Sequence, residues 1–242
     1  MKKLYVAGIG PGSENMITPE VREALLKADV ICGYTVYTDL VREQFPEKKY
    51  LTTPMRKEIE RCRMALSEAA CGRTTTLICS GDAGVYGMAG PILMMQGDFP
   101  EVDIEILPGI TAATAGAAIL GAPLMNDFCV ISLSDLLTPW EVIEKRLRAG
   151  CAGDFVLCIY NPMSRNRPDH LARACDILLE EISPLTVCGW VRKIGREGTE
   201  KKILTLAELR NEKVDMFTTV YVGNSATQLV SGRMVTGRGY RM

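Results

Sequence analysis

Short apolar runs that end in glycine, each followed by a helical segment with a capping signal, recur along this chain of 242 residues. The first run is KLYVAGIG, and it is followed by Thr18-Pro19-Glu20. Threonine there can cap a helix, and proline can take the first helical position. Apolar runs that alternate with helices are typical of βαβ units, so the sequence predicts an α/β fold with a mostly parallel sheet.

The same pattern restarts after Gly121-Ala122-Pro123 with the apolar run FCVISLS. We therefore predict two α/β domains, residues 1–122 with glycine-rich loops and residues 123–242. In the second, Thr138-Pro139-Trp140-Glu141 predicts a capping box at the start of a helix. The segment GREGTE predicts a hairpin turn, which would give the second sheet antiparallel strands and make it mixed.

The charged residues nearly balance, with 28 Lys and Arg against 29 Asp and Glu. A balanced protein has no general basic field that would attract nucleic acid, so an anionic ligand must be held by local groups. No apolar stretch approaches the roughly 20 residues that a membrane helix needs. The sequence thus predicts a soluble, unprocessed chain that binds neither nucleic acid nor a membrane.

Nine cysteines occur without any CxxC pair, and most have aliphatic neighbours, as in FVLCIY. An odd number of cysteines in apolar surroundings predicts unpaired thiols in a reducing cytoplasm. His170 is the only histidine, so no protein-bound zinc or iron–sulfur centre is predicted. Because the sequence shows no partner for His170, we expect it at the surface or at the edge of the substrate.

Three glycine loops follow predicted strands: residues 8–12 (GIGPG), 81–84 (GDAG) and 108–111 (PGIT). Ligands of open α/β sheets collect at the carboxyl ends of strands, so the loops could line one cleft. Each could also be a tight turn between a strand and a helix. The first loop reads GxGxG rather than GxGxxG, and a Walker lysine is absent, which argues against a dinucleotide or a nucleoside triphosphate. Backbone donors and close main-chain approach suit S-adenosylmethionine instead.

Several segments resemble the tetrapyrrole methylase family in order and spacing over essentially the whole chain: GIGPG, SGDAGVYGMAG, LPGITAATAGAAILGAPL, YNP and VGNS. Within that family, residues 126–147 and the string YNPMSRNRP are similar to the branch that methylates C17 of precorrin-3B or of cobalt-factor III. The resemblance implies S-adenosylmethionine-dependent C-methylation with contraction of the macrocycle, in cobalamin biosynthesis. It also implies a homodimer of two-domain chains, with the cofactor in the cleft between the domains.

The resemblance further implies a set of cofactor contacts, carried over by position from both halves of the chain. They are Pro11, Gly81, Asp82, Val85, Tyr86, Thr111, Ala112, Asn161, Met163, Trp190 and Asn224. Asp82 and Thr111 could instead cap helices. Met163 could be a core residue, and Trp190 could be a buried aromatic of a strand.

The substrate implied by the resemblance is a macrocycle with acetate and propionate arms. Arg165 and Arg167 follow the YNP loop, and a guanidinium group offers two parallel donors to a carboxylate. Alternatively, both arginines could be solvated charges of a loop. Ser134, Asp135 and Thr138 are substrate candidates by proximity alone, and Thr138 could be a loop cap.

No catalytic base is predicted, because an electron-rich carbon of the macrocycle supplies the nucleophile and positioning in a dry cleft can supply the acceleration. Other functions stay open. The chain could be a precorrin methyltransferase that acts at C11 or C20, or a uroporphyrinogen methylase. It could also be a non-catalytic ligand-binding module, although the intact GDAG and PGIT loops count against that. The sequence leaves open whether the macrocycle carries cobalt.

Overall fold

A computed structural model describes residues 2–240, which form two compact units. The first unit ends at Thr111 and the second begins at Ala112. The helix that follows Thr111 therefore groups with the second unit, whereas the sequence-based prediction ended the first domain at Ala122. Within residues 2–240, no helix combines the length and the apolar character needed to cross a membrane.

The first unit is built on a sheet of five strands in the order β3-β2-β4-β1-β5, and every neighbouring pair is parallel. This confirms the predicted parallel α/β fold. The strands are β1 (Lys3–Gly8), β2 (Val30–Tyr34), β3 (Lys49–Thr53), β4 (Thr75–Cys79) and β5 (Asp103–Leu107). The helices are α1 (Pro19–Lys27), α2 (Thr35–Arg42), α3 (Glu58–Ala70) and α4 (Ala89–Met94), with short 3-10 helices at Glu14–Met16 and Gln96–Asp98.

Helix α1 starts where its capping signal predicts. The Thr18 hydroxyl accepts a hydrogen bond from the backbone N–H of Val21 at 3.3 Å, and Pro19 takes the first helical position. The helix buries Val21 and Leu25 against one face of the sheet, while Leu4 and Val6 of β1 face the core on the other side. Strand alternation thus gives the first unit an apolar layer on each face of its sheet.

The second unit contains a mixed sheet in the order β10-β9-β11-β8-β7 and a small sheet in the order β12-β13-β6. Only β7 and β8 are parallel in the larger sheet, so the predicted mixed sheet is confirmed. The strands are β6 (Gly121–Ala122), β7 (Phe128–Ser132), β8 (Val156–Tyr160), β9 (Val187–Arg192), β10 (Glu200–Thr205), β11 (Thr218–Val222), β12 (Thr227–Val230) and β13 (Arg233–Thr236). The helices are α5 (Ala112–Leu120), α6 (Trp140–Ala152), α7 (His170–Glu181) and α8 (Leu206–Leu209).

Of the local features of the second unit, one predicted turn is confirmed, one predicted helix cap is wrong, and one hairpin was not predicted. The GREGTE segment joins β9 to the antiparallel β10, as predicted. The capping box predicted at residues 138–141 is wrong: Pro139 is the N-cap of α6, and no side chain caps that end. The hairpin of β12 and β13 was not predicted. Its turn holds Ser231 and Gly232 at φ 48° and 75°, the positive values that a type I′ turn requires.

All nine cysteines are unpaired thiols, and they are spread over both units. Six are buried: Cys32, Cys62, Cys79, Cys158, Cys175 and Cys188. Cys71, at the end of α3, is exposed. Burial raises the pKa of the Cys32 thiol to about 12, so this thiol stays protonated at neutral pH.

Candidate functional site

The three glycine loops meet at the carboxyl edge of the first sheet. Gly10 and Gly81 exchange two backbone hydrogen bonds, of 3.1 and 2.7 Å. A Cβ atom on Gly8 would lie 2.5 Å from the carbonyl oxygen of Gly81 and 2.8 Å from the amide nitrogen of Gly109. The main chains of the three loops therefore approach more closely than any side chain would allow, and the loops predicted to share one site do converge in the first unit.

The topology of the first sheet explains why a site belongs at this edge. Strands β1 and β4 are neighbours, but the chain leaves β1 toward β2 and leaves β4 toward β5, on opposite sides. Such a switch in direction opens a crevice at the carboxyl ends of the two strands, where ligands of open α/β sheets bind. Two of the three glycine loops follow these two strands.

Asp82 joins two of the loops through its carboxylate. Oδ1 accepts hydrogen bonds from the backbone N–H groups of Gly84 and Val85, at 2.7 and 3.1 Å. Oδ2 accepts from the N–H of Gly109 at 2.8 Å. The side chain therefore shapes its own loop and anchors the loop after β5, which is more than the helix cap that the sequence offered as an alternative.

Tyr86 has the least ordinary backbone among the cofactor residues predicted in the first unit. Its φ is 54°, a left-handed value that costs a bulky residue energy, and its side chain is exposed at 57%. Among the other predicted cofactor residues of this unit, Val85 and Thr111 are half-buried and Pro11 is buried. An exposed aromatic ring held on a strained loop is typical of a ligand site.

Cys79 ends β4 beside the glycine loops but does not offer a nucleophile. Its Sγ accepts a hydrogen bond from the backbone N–H of Met88 at 3.3 Å. Burial raises the pKa of this thiol to about 12, so the reactive thiolate is scarce at neutral pH.

In the second unit, the carboxyl ends of the parallel strands β7 and β8 bring predicted site residues together. Asn161 follows β8 at φ 52°, and its Nδ2 donates to the Oγ of Ser132, the last residue of β7, at 2.9 Å. The same Oγ accepts from the backbone N–H of Ser134 at 3.2 Å. Asn161 and Ser134 therefore lie at one edge of the second sheet.

Asp135 lies in the loop after β7 and contacts His170, the first residue of α7. The distance from Nε2 of His170 to Oδ2 of Asp135 is 2.9 Å, although the two groups do not have the alignment of a good hydrogen bond. The Trp140 ring stands edge-on to the imidazole, with ring centres 5.1 Å apart. His170 is only 8% exposed, so the predicted surface position is wrong: the partner that the sequence could not show is Asp135.

The electrostatics of this contact act mainly on the carboxylate. The contact with His170 lowers the pKa of Asp135, partial burial opposes that change, and the charges of His170 and Arg167 lower the pKa further. The Asp135 side chain is 33% exposed while that of His170 is 10% exposed. The pair is thus an ionised carboxylate open to ligands and backed by a buried imidazole.

The two arginines predicted to bind the substrate differ in their surroundings. Arg167 closes a tight loop: its Nε donates to the Oγ of Ser164 at 3.2 Å, and the backbones of these two residues exchange two hydrogen bonds. Its Nη1 is buried, and no described residue accepts from it. Arg165 is exposed and makes no hydrogen bond or ion pair within residues 2–240. Thr138 is half-buried just before α6.

Of the other residues predicted to bind the cofactor from the second unit, two are buried in the core and the third lies at the opposite edge of the sheet. Met163 and Trp190 are 7% and 9% exposed within the core, and the Trp190 indole donates to Oε2 of Glu212 at 3.0 Å. Asn224 follows β11, which runs antiparallel to β8 and so ends at the opposite edge of the sheet. The Asn224 side chain there donates to the carbonyl of Asp154 at 2.9 Å. Met163 and Trp190 thus have the burial that their core alternatives imply, their cofactor contacts stay predictions, and Asn224 is separated from Asn161.

Sequence reasoning also missed two tyrosines that anchor the start of α5. The hydroxyl of Tyr221 donates to the carbonyl of Ala112 at 2.9 Å, and the hydroxyl of Tyr160 accepts from the N–H of Ala113 at 2.7 Å. Gly116, one turn along the helix, leaves room for the Tyr221 hydroxyl, which a Cβ atom would overlap. Close packing at this helix therefore depends on its small residues and on partners that are distant in the sequence.

The fold is that of an α/β protein whose first sheet carries glycine loops at a switch point, and comparisons with known proteins narrow this class to one family. A model of the tetrapyrrole (corrin/porphyrin) methylases matches residues 3–210. A Salmonella typhimurium protein described as a probable cobalt-factor III C(17)-methyltransferase is 50% identical over 240 residues, 99% of this chain and 100% of that protein. A Sinorhizobium precorrin-3B C(17)-methyltransferase is 37% identical over 94% of this chain and 91% of its own length.

A solved structure agrees with these relatives. The crystal structure of the methyltransferase CobJ superposes with a TM-score of 0.89 at 40% identity, covering 97% of this chain and 99% of that one. The chain spans about half the length of two further relatives, 45% of one from Priestia megaterium and 53% of one from Archaeoglobus fulgidus. This chain belongs to the tetrapyrrole methylase family, as its motifs predicted, and the names of its relatives confirm the predicted branch.

Proposed function

We propose that this protein transfers a methyl group from S-adenosylmethionine to C17 of cobalt-factor III, with contraction of the macrocycle, in cobalamin biosynthesis. The observation that carries the proposal is the 50% identity, over the full length of both chains, to the Salmonella protein of that description. The metal-free substrate precorrin-3B is the second candidate, because the Sinorhizobium relative is named for it at 37% identity.

The cofactor fits the first unit. The converging glycine loops offer backbone donors and acceptors without side chains in the way, which an adenosyl and amino-acid ligand needs. The strained, exposed Tyr86 adds an aromatic surface beside them. Pro11, Gly81, Val85 and Thr111 would line this site, while the contributions of Ala112 and Asn161 stay predictions.

S-adenosylmethionine would supply an electrophilic methyl group on a positively charged sulfur. The work left to the protein is then positioning: the loops tied by Asp82 hold their shape before any ligand arrives. A preorganised site can supply much of the acceleration in a reaction between two bound molecules, because their entropy is lost on binding rather than in the transition state. The homodimer rests on resemblance alone, the cytoplasmic location rests on the cysteine pattern of the sequence, and both stay predictions.

A product assay by mass spectrometry tests the function. The protein is incubated with S-adenosylmethionine and, in parallel, with cobalt-factor III, precorrin-3B and the substrates of the C11, C20 and uroporphyrinogen methylases. We expect one added methyl group on cobalt-factor III and on none of the last three. Methylation of a different macrocycle would replace the proposal with that activity. A protein that binds S-adenosylhomocysteine in calorimetry but methylates no macrocycle would instead be a binding module.

Replacing Arg165 or Arg167 by alanine should weaken binding of the macrocycle. Each charge-assisted contact to a carboxylate contributes roughly 1.5 to 3 kcal/mol, so the Kd should rise by about one to two decades. Arg165→Ala is the cleaner variant, since Arg165 has no partner within residues 2–240 while Arg167 also holds Ser164. Fluorescence titration with the macrocycle measures the effect.

The affinity for S-adenosylhomocysteine should stay the same in both variants. Arg146→Ala removes another exposed arginine, from α6, and should change neither affinity. Loss of S-adenosylhomocysteine binding with intact binding of the macrocycle would place this loop on the cofactor instead.

A further inference from the structure

The contact between Asp135 and His170 has no role in the methyl transfer described so far. It nevertheless combines a carboxylate and an imidazole, two groups that commonly transfer protons in enzymes. His170 is more than nine-tenths buried, and its Nε2 lies 2.9 Å from the carboxylate without an aligned hydrogen bond. The Asp135 side chain is 33% exposed, and its own backbone N–H also acts on the carboxylate. The carboxylate therefore contacts the imidazole through Oδ2 and is open to a ligand on its exposed side.

Neighbouring groups hold this arrangement in place. Trp140 of α6 packs edge-on against the imidazole, and the Arg173 guanidinium of α7 lies over the Trp140 ring, 4.0 Å from its centre. Arg167, in the loop after β8, is the cation whose charge acts on the carboxylate together with that of His170. The loops after β7 and β8 and the start of α7 thus all contribute to one cluster at the carboxyl edge of the second sheet.

Methylation of a neutral macrocycle leaves a proton to be removed. As the C17–CH3 bond forms from a ring electron pair, the electrons of the S–CH3 bond return to sulfur, and the macrocycle gains one positive charge. The charge is discharged when an N–H or C–H proton of the ring leaves and its electron pair stays in the ring. A carboxylate at the site can take that proton and become a carboxylic acid.

We propose that the Asp135 carboxylate accepts this proton, and that His170 is the positioning residue that orients the carboxylate. The inference rests on the proposed function. Asp135 suits the task because it is exposed, is the only carboxylate of the cluster described above, and follows the same strand as Ser132, which holds Asn161. Its lowered pKa keeps the carboxylate in the ionised form that can accept a proton.

Single-turnover rates of the variants Asp135→Asn and His170→Gln test the proposal. Removing a general base typically costs about 10² to 10⁴ in rate, so Asp135→Asn should lose at least about a hundredfold with unchanged S-adenosylhomocysteine affinity. His170→Gln keeps a donor but no charge, so the pKa of Asp135 should move up toward its ordinary value. The acid limb of the pH–rate profile should then shift to higher pH.

The pKa of Asp135 can be followed without turnover, by NMR titration of its carboxyl carbon in the wild-type protein and in His170→Gln. The control is Asp176→Asn, which removes another carboxylate with a basic partner, Arg210, and lies on the same helix away from the cluster. It should leave the rate and the profile unchanged. An Asp135→Asn rate within threefold of wild type overturns the proposal, and so does an Asp135 titration that His170→Gln does not move. A wild-type protein that methylates no macrocycle overturns the proposed function as well.

Discussion

Replacing Gly109 by alanine should weaken cofactor binding strongly. The new Cβ atom would overlap the backbone carbonyls of Gly8 and Gly81 at once, and neither is a flexible side chain that could move aside. Forcing extra atoms into such a contact costs about 1 to 3 kcal/mol or more of stability. Because displacing a binding loop by about 1 Å can cost a hundredfold in function, we expect the Kd for S-adenosylhomocysteine to rise by about that factor.

Calorimetric titration and chemical denaturation measure the two effects of Gly109→Ala. The matched control is Gly90→Ala in α4, where an added Cβ atom meets no atom within 4 Å. In a helix that exchange should stabilise the protein by roughly 0.5 to 1 kcal/mol and leave the affinity unchanged. A Gly109→Ala protein that binds S-adenosylhomocysteine within threefold of wild type would show that the contact of the three loops does not shape the cofactor site.

The second large effect is expected from Asp82→Asn, which keeps the shape of the side chain but changes one oxygen into a donor. The amide oxygen can still accept from Gly84 and Val85, whereas the amide nitrogen would face the N–H of Gly109 that Oδ2 now accepts. Two donors then point at each other, and the link between the loops is lost. Losing a charge-assisted hydrogen bond costs about 1.5 to 3 kcal/mol, so the Kd for S-adenosylhomocysteine should rise by about one to two decades.

Asp29→Asn serves as the control for Asp82→Asn. Oδ2 of Asp29 also accepts a backbone hydrogen bond, from Thr74 at 2.8 Å, but at the start of β2, away from the glycine loops. A rotated asparagine can still accept that single bond, so stability and affinity should both stay near wild type. Equal losses in the two variants would mean that Asp82 contributes general stability rather than the shape of the site.

Features that depend on neighbouring residues in the chain could be predicted from the sequence. The cap at Thr18, the parallel pattern of the first unit and the turn before β10 all follow from local rules of turn and helix chemistry. The meeting of the three glycine loops was also predictable, because parallel strands place their carboxyl ends at one edge. The Ser231-Gly232 turn carried a similar local signal that was missed.

Features that depend on strand direction or on distant partners could not be read in this way. The family motif that contains Asn224 is as recognisable as the one that contains Asn161, but β11 runs against β8, so the two residues lie at opposite edges of the sheet. The partner of His170 is a residue of the loop after β7, and no spacing rule connects them. Trp190 shows the same limit. Its indole N–H donates a hydrogen bond to Glu212, and only the folded structure reveals this partner.

Each unit contains buried cysteines, and their reaction with a thiol reagent can report when that unit unfolds locally. In the native protein a thiol reagent should label the exposed Cys71 first, since the six buried cysteines are shielded by the two cores. Cys32, Cys62 and Cys79 would become reactive only when the first unit opens, and Cys158, Cys175 and Cys188 only when the second does. Peptide mapping after a timed pulse of alkylation would therefore distinguish the local stabilities of the two halves in one experiment, without any engineered label.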